Sequence, residues 1–331
     1  MEDSPLSSIE ICAGAGGQAL GLERAGFRHE ITIEIDDAAC ATLQRNRPEW
    51  NVVKMDVRDF HAREYREIDL LAGGVPCPPF SIAGKQLGPG DERDLFPAAL
   101  RLVEEARPRA VMLENVRGLS TARFKRYRED ILSRLRNLGY DAQWQVLNAC
   151  NYSVPQLRPR FILVALRGDA AARFRWPRPI ETPPTVGEAL RELMGSRGWP
   201  GAAHWAAKAN SIAPTLVGGS KKHGGPDLGP TRAKLAWREL GVDGHGVADL
   251  PPACEFPCDG LPKLTVEMAA RLQGFPDSWE FIGRKTAAYR QVGNAFPPPV
   301  AAAVGAAIRA ALLGNTPVLV PDVPDLFASV G

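Results

Sequence analysis

Short apolar runs alternate with helical segments from residue 7 to about residue 168. The runs typical of strands are SSIEICAG, HEITIEID, NVVKMDV, IDLLAGG, AVMLENV, DAQWQVLNA and RFILVALR. Strands that alternate with helices predict a parallel sheet covered on both faces, with ligand sites at the carboxyl ends of the strands. The predicted fold class is therefore α/β, with a doubly wound, mostly parallel sheet.

The amino-acid composition of the chain changes near residue 170. From there to about residue 262 it is rich in Gly, Pro and basic residues and has little periodicity, which indicates a smaller domain with long functional loops. An Ala-rich helix near the end can pack back on the first domain. The predicted organisation is a main domain at 1–178, the smaller domain at 179–262, a return to the main domain at 263–313 and a tail at 314–331.

Composition excludes several classes of protein. A net charge of +2 over 331 residues rules out a polycation, so any anion-binding surface is local. The six cysteines are scattered, and the Cys254 and Cys258 pair has no second ligand pair, so neither a disulfide framework nor a metal is expected. The polar, acidic N-terminus and the position of Arg309 in the Ala-rich run argue against a signal peptide and a membrane span. A cytoplasmic protein is expected.

A glycine-rich turn follows the first predicted strand. Gly14, Gly16 and Gly17 allow close backbone approach, and the helix that begins there favours polar or anionic ligand groups. The next glycine is Gly21, so the spacing differs from the G-x-G-x-x-G pattern of nicotinamide enzymes. A nicotinamide oxidoreductase is therefore disfavoured.

Carboxylates follow the second and third predicted strands. Glu34 or Asp36 could accept hydrogen bonds from a ribose diol, and Asp56 could accept from an adenine amine. Together with the glycine turn, they favour an adenosine ligand.

The fourth strand ends in a thiol between prolines. Pro76, Pro78 and Pro79 surround Cys77 and suit a rigid presenting loop. Glu114 follows the fifth strand, so both side chains should reach one edge of the sheet. A carboxylate does not activate a nearby thiol, because negative charge opposes thiolate formation. The acid therefore fits a role on the substrate, such as protonating N3 of a pyrimidine whose C6 is attacked.

The segment QLRPR offers Gln156, Arg158 and Arg160 just before the last strand. Alternation along an extended chain places the two arginines on one side, where they would suit a base carbonyl and a phosphate.

These motifs, in this order, resemble the DNA (cytosine-5) methyltransferases of bacterial restriction-modification systems. The resemblance covers residues 7 to 313 and rests on the segments EICAGAGG, GGVPCPPFS, ENV, QLRPR, RLQGFP and QVGNAFPPPVA. It implies the class I fold of S-adenosylmethionine-dependent methyltransferases, with a target-recognition domain at 179–262.

The resemblance also implies a mechanism. A cytosine would be flipped out of the duplex, and Cys77 would attack its C6. Glu114 would hold N3 and the amine, Arg160 would bind O2, and Arg158 would support the site or a phosphate. The activated C5 would then accept a methyl group from S-adenosylmethionine.

Individual contacts follow from the same resemblance. The implied cofactor contacts are Cys12, Ala13, Gly14, Gly16, Gly17, Glu34, Ile35, Asp56, Val57, Gly74, Pro76, Leu95, Asn294 and Ala295. The resemblance gives Ser81, Lys85 and Gln156 as expected DNA contacts. Lys221, Lys222 and Arg232 are expected DNA contacts because they are basic residues of the 179–262 region, which the resemblance does not match residue by residue. The chain departs from the family pattern at Cys12, where a phenylalanine is usual, at Glu10, which replaces an aspartate, and at Ala83, which replaces a serine.

Double-stranded DNA is the expected partner, with a cognate restriction endonuclease as a possible second one and a monomer as the expected state. One alternative is a tRNA cytosine-5 methyltransferase of the same fold, since the chemistry is shared and the recognition region sets the substrate. Another is a non-catalytic DNA-binding regulator, against which the intact Cys77, Glu114 and Arg160 argue.

Overall fold

The computed structural model describes residues 5–76, 94–218 and 225–315. These residues form two compact units. The described parts of the first unit are 5–76, 94–147, 159–178 and 300–315, and those of the second are 148–158, 179–218 and 225–299. One passage from the first unit to the second lies between residues 178 and 179. The chain returns to the first unit at Val300, later than the expected residue 263, and 148–158 belongs to the second unit.

The first unit is built on a seven-stranded sheet. Its strands are β1 (Leu6–Ile11), β2 (Phe27–Glu34), β3 (Val52–Lys54), β4 (Leu70–Gly74), β5 (Ala110–Val116), β6 (Tyr140–Asn148) and β7 (Pro159–Arg167). Their order is β3-β2-β1-β4-β5-β7-β6. The first five strands pair in parallel, and β7 runs antiparallel to β5. The prediction of a mostly parallel α/β sheet is confirmed.

Eleven α-helices lie within the described ranges. They are α1 (Gly17–Arg24), α2 (Asp37–Asn46), α3 (Phe96–Ala106), α4 (Lys125–Asn137), α5 (Asp169–Arg173), α6 (Val186–Gly195), α7 (Ala202–Lys208), α8 (Thr231–Glu239), α9 (Val266–Leu272), α10 (Lys285–Asn294) and α11 (Pro298–Leu313). Local sequence fixes several starts. Asp36 accepts from the N–H groups of Ala38 and Ala39 at α2, and Thr185 and Glu188 form a capping box at α6.

The hydrophobic core of the first unit lies between the sheet and helices α3 and α4. Ile9, Leu71 and Val111 come from three neighbouring strands, and Phe96 and Leu135 come from the two helices. These side chains are fully buried, which removes large apolar areas from water and stabilises this layer.

Helix α11 packs against α1 within the first unit. At Gly305, a Cβ would lie 2.8 Å from Cδ2 of Leu22 and 2.9 Å from Cβ of Ala25, so only glycine permits this approach. The stretch Lys285–Leu313 is long and apolar enough to cross a membrane, but 83% of its most apolar window is buried inside the protein. It therefore behaves as a core segment.

Polar side chains are buried beneath α1. Ser8 Oγ lies 2.9 Å from Nδ1 of His29, and Nε2 of His29 lies 2.9 Å from the Ala19 carbonyl. Glu10 is completely buried nearby, and neither of its carboxyl oxygens has a hydrogen-bond partner of normal geometry among the described residues. Burial raises the pKa of Glu10 well above its usual range, and the Gln18 side chain offsets this only in part.

The second unit contains a hub of three buried polar side chains, Gln156, Arg158 and Gln273. Gln156 accepts from the Leu216 N–H at 2.8 Å and donates to the Leu272 carbonyl at 3.1 Å and to Oε1 of Gln273 at 2.9 Å. Gln273 in turn donates to the Val292 carbonyl at 2.8 Å.

Arg158 completes the hub and is 1% exposed. Its guanidinium donates to the carbonyls of Leu216, Gly293 and Ala295 at 2.6 to 2.8 Å. The hub therefore ties α9, the end of α10 and the segment at 216 into one unit. The segment RLQGFP lies within 263–313, which was expected to belong to the main domain, whereas the structure groups it with the second unit.

Replacement of Glu10 by glutamine is expected to stabilise the protein increasingly as pH rises. Below about pH 4.3, the usual glutamate pKa, the carboxyl is neutral in both the folded and unfolded chains. Above it, the unfolded chain ionises while burial opposes ionisation in the folded chain, so the wild-type free energy of unfolding falls. Urea unfolding at pH 5 and pH 8 measures the difference. A gain that does not grow with pH, or that also appears in the exposed control Glu104→Gln, would contradict the assignment.

Replacement of Arg158 by methionine is expected to lower the free energy of unfolding by about 3 kcal/mol, because three buried carbonyls lose charged donors. Denaturant unfolding measures this. The exposed Arg238→Met serves as the control and should change stability by less than about 0.5 kcal/mol. Equal effects for the two variants would count against the hub.

Candidate active site

The end of β4 lies tightly between β1 and β5. Gly73 pairs with Ile11 on one side and Leu113 on the other. A Cβ on Gly73 would lie 2.5 Å from Cγ1 of Ile11, so a side chain here would clash. A Cβ on Gly74 would lie 3.5 Å from Oε2 of Glu114 and 3.8 Å from the Cys12 carbonyl. The two glycines therefore bring the strand that leads to Cys77 against both the glycine turn and Glu114.

Glu114 and Arg160 form an ion pair at this edge. Nε of Arg160 lies 2.8 Å from Oε1 of Glu114, and the two side chains are 11% and 13% exposed. The antiparallel register sets Glu114 opposite Ile162 and Val116 opposite Arg160, which makes the pair diagonal neighbours on one face. Burial lowers the pKa of Arg160, and the Glu114 carboxylate opposes that shift. The guanidinium therefore fixes the orientation of the carboxylate.

Asn115 is a functional residue that the sequence reasoning missed. It is 2% exposed, and its Nδ2 donates to the Val75 carbonyl at 3.0 Å. The Val75 N–H also donates to the Glu114 carbonyl at 3.2 Å. Asn115 thus anchors the backbone two residues before Cys77. Its place in the ENV motif was the available signal.

Cys77 lies outside the described residues, as do Ser81, Lys85, Lys221 and Lys222. Pro76, the last described residue before Cys77, is exposed.

The glycine turn is closed by one carboxylate. Gly14 and Gly16 have φ values of 55° and 87°, a region that glycine adopts readily. Glu34 accepts from the Gly14 N–H at 2.7 Å through one oxygen and from the Ile35 and Asp36 N–H groups at 2.8 Å through the other. The carboxylate of Glu34 is therefore held in one orientation at the carboxyl end of β2.

Cys12, Glu34 and Asp56 converge at this end of the sheet. Burial is the main cause that raises the pKa of the Cys12 thiol, and the carboxylates of Glu34, Glu10 and Asp56 add to it. Cys12 is therefore a protonated packing residue. Asp56 is held by Arg58 at 2.5 Å, and hydrogen bonds from Arg58 lower the pKa of Asp56.

The other predicted cofactor residues differ in exposure. Ile35 is 59% exposed beside Glu34, whereas Ala13 and Val57 are buried. Gly17 opens α1, and Leu95 is the residue before α3 and packs partly against the core. Asn294 and Ala295 belong to the second unit, where Asn294 is exposed and Ala295 is 9% exposed.

The structure separates the roles expected of QLRPR. Arg160 meets Glu114, while Arg158 is bound to three carbonyls of the second unit and has no exposed surface to offer a phosphate. Arg158 therefore supports the protein backbone. Gln156 is also fully buried, so its expected contact with DNA is not supported. Arg232 is exposed on α8 and remains available for DNA.

The residues near the glycine turn fit an adenosine cofactor. Glu34 offers a fixed acceptor for a ribose diol, Ile35 offers an exposed apolar surface, and the space beside Gly14 is open, since a Cβ there would meet no atom within 4 Å. No group of three or more metal-ligating side chains comes together in 5–76, 94–218 and 225–315.

Comparison with known proteins assigns the family. The family model of the C-5 cytosine-specific DNA methylases matches residues 6–224 and 243–310. The chain is 60% identical over 311 residues to the Type II methyltransferase M.NaeI of Lentzea aerocolonigenes, which covers 93% of this chain and 75% of that protein. It is 54% identical over 315 residues to the Type II methyltransferase M.NgoMIV of Neisseria gonorrhoeae, which covers 93% and 98%.

Solved structures with the same fold include Spodoptera frugiperda DNMT2 in a mutant form, at a TM-score of 0.65 and 16% identity over 92% of this chain and 99% of that one. Another is the Entamoeba histolytica methyltransferase EhMeth, at a TM-score of 0.66 and 15% identity over 94% and 99%. At these identities the likeness concerns the fold alone. Family, relatives and fold agree: the chain belongs to the C-5 cytosine-specific DNA methylases and is a DNA (cytosine-5) methyltransferase.

Proposed function

We propose that this methyltransferase modifies a flipped-out cytosine in a specific short duplex sequence through a covalent bond between Cys77 and C6. The observation that carries the proposal is the position of Gly74. This residue lies beside Glu114, which Arg160 holds, and only three residues before Cys77. A thiol on this loop and a fixed carboxyl group at the same sheet edge suit attack on a protonated pyrimidine.

The chain's own residues divide the chemistry as follows. The Sγ of Cys77 forms a bond to C6 as a thiolate, and the C5–C6 π electrons shift towards C5 and the ring. The Glu114 carboxyl donates a proton to N3, which neutralises the negative charge that develops on the ring. Arg160 keeps this carboxyl in place and offers donors to O2. After methylation, C5 loses its proton to solvent and the C5–C6 double bond re-forms as the bond from C6 to Cys77 breaks. Cys77 leaves as thiolate, and N3 returns its proton to Glu114.

The cofactor that fits the site is S-adenosylmethionine, which supplies an electrophilic methyl group to C5. Glu34 would hold its ribose, and Ile35 would cover one face of the adenine. Asp56 would accept from the adenine amine while it remains bound to Arg58. The backbone near Gly14 would bind the remainder.

The biological setting is inferred from the relatives. Both are named Type II methyltransferases, so we infer a role in protecting a short DNA site, with a cognate endonuclease as a partner. We also infer that the protein acts as a monomer in the cytoplasm, since each strand of a palindromic site can be methylated in turn.

Cys77→Ala is expected to abolish methyl transfer, and Glu114→Gln is expected to reduce kcat by about 10² to 10⁴ fold, because it cannot supply a proton to N3. The assay follows labelled methyl groups from S-adenosylmethionine into mixed-sequence duplex DNA and maps the labelled cytosines. Transfer that survives in Cys77→Ala would refute the covalent route. Label in tRNA and none in DNA would favour the tRNA methyltransferase alternative.

Glu34→Gln is expected to weaken binding of S-adenosylhomocysteine by about 10 to 100 fold, because an amide cannot accept through both of its ends. Calorimetric titration measures the Kd. Asp36→Asn is the matched control, since Asp36 caps α2 in the structure and should leave the Kd nearly unchanged. The reverse ranking would move the ribose contact to Asp36.

A further inference from the structure

A strongly basic segment follows β5 in the first unit, and no role proposed above involves it. Residues 115–128, NVRGLSTARFKRYR, contain five cationic side chains and no acidic one, in a chain whose net charge is only +2. Arg117, Arg123, Lys125 and Arg126 are all exposed. We name these four residues the Arg117–Arg126 surface. It begins three residues after Glu114, at the same end of β5.

The backbone that carries this surface is held by buried side chains and by hydrogen bonds. Leu119 and Phe124 are buried in the core of the first unit. Arg128 donates from Nη1 to the Leu119 and Thr121 carbonyls at 2.6 and 2.7 Å, and Thr121 Oγ1 donates to the Gly118 carbonyl at 2.9 Å. The exposed cations therefore project from an ordered pair of short 3₁₀ turns and from the start of α4.

The charges at the start of α4 are opposite in sign to those that stabilise a helix N-terminus. The N-terminus of a helix carries partial positive charge and is stabilised by acidic residues or by a side-chain cap. Helix α4 has neither: its first turn has no acidic residue, no side chain caps it, and Lys125 and Arg126 occupy its first two positions. Such a conflict is typical of a functional position, where a ligand supplies the missing charge.

Among the described residues, no carboxylate supplies negative charge to Arg117 or Arg126. Arg117 and Arg126 form no ion pair with any carboxylate in the described ranges, and Lys125 reaches only Glu129, at 3.7 Å and with both side chains exposed. A polyanion would pair with these cations.

We propose that the Arg117–Arg126 surface binds the sugar-phosphate backbone of duplex DNA beside the target site. The proposal rests on the proposed function, since it places a phosphate contact three residues from Glu114. It makes this surface part of the affinity of the enzyme for DNA and leaves the choice of sequence to other residues.

The test compares two double variants that remove equal charge. Arg117→Gln with Arg126→Gln removes two cations of the surface. Arg134→Gln with Arg136→Gln removes two exposed cations near the other end of α4, with Arg134 about 12 Å along the helix from Arg126. Duplex DNA that carries the mapped site and extends beyond it on both sides is titrated from about 50 to 200 mM salt.

The first double variant should bind duplex DNA more weakly, and its slope of log Kd against log salt should fall by about 1 to 2, since each lost phosphate contact removes about 0.9. Its Kd for S-adenosylhomocysteine and the DNA sequence that it methylates should match wild type. Its melting temperature should be equal or slightly higher, because a cation leaves a helix N-terminus. The control should keep the wild-type slope.

Three outcomes would overturn the proposal. An unchanged slope in the first variant would identify a merely solvated surface. Equal changes in both double variants would identify an effect of net charge. An unchanged slope for duplex DNA together with weaker binding of tRNA would move the surface to another nucleic acid. Failure of the proposed function is distinguishable from all three, because it is measured by methyl transfer in Cys77→Ala and by label in tRNA, and not by the salt dependence of DNA binding.

Discussion

The site depends on the close approach of β4 to its two neighbouring strands. Because Gly73 has no side chain, the strand can lie directly against Ile11, and the next residue, Gly74, lies beside Glu114 and the Cys12 carbonyl. A residue with a Cβ at position 73 would push β1 and β4 apart. The glycine turn after β1 and the carboxylate on β5 would then no longer share one edge of the sheet.

Around this edge, polar side chains mainly hold backbone in place. Glu34 accepts hydrogen bonds from three N–H groups, one in the glycine turn and two just after its own strand. Asn115 holds the carbonyl of Val75, and Arg160 orients Glu114. Positioned in this way, the groups that meet a substrate lose little freedom on binding, which is the physical basis of preorganised catalysis.

The sequence predicted the sheet and the residues at its edge because both depend on short-range patterns. Apolar runs and glycine spacing are local, and the carboxyl ends of parallel strands lie at one edge, so the glycine turn, the carboxylates after the second strand and Glu114 could be expected at that edge. The roles of Gln156 and Arg158 could not be assigned, since alternation gives the side of a strand and not the partner that covers it. Their partners lie 58 to 137 residues away along the chain. The burial of Glu10 could not be predicted either, because the sequence of a strand covered on both faces does not show which of its acidic residues is buried.

The hub of the second unit has a consequence for how the sequence of this unit can vary. Arg158 and Gln156 grip position 216 through its main-chain N–H and carbonyl, atoms that nearly every amino acid provides in the same form. These two hydrogen bonds therefore do not depend on which side chain position 216 carries. Substitutions elsewhere in the second unit can therefore change its surface while these main-chain hydrogen bonds stay intact.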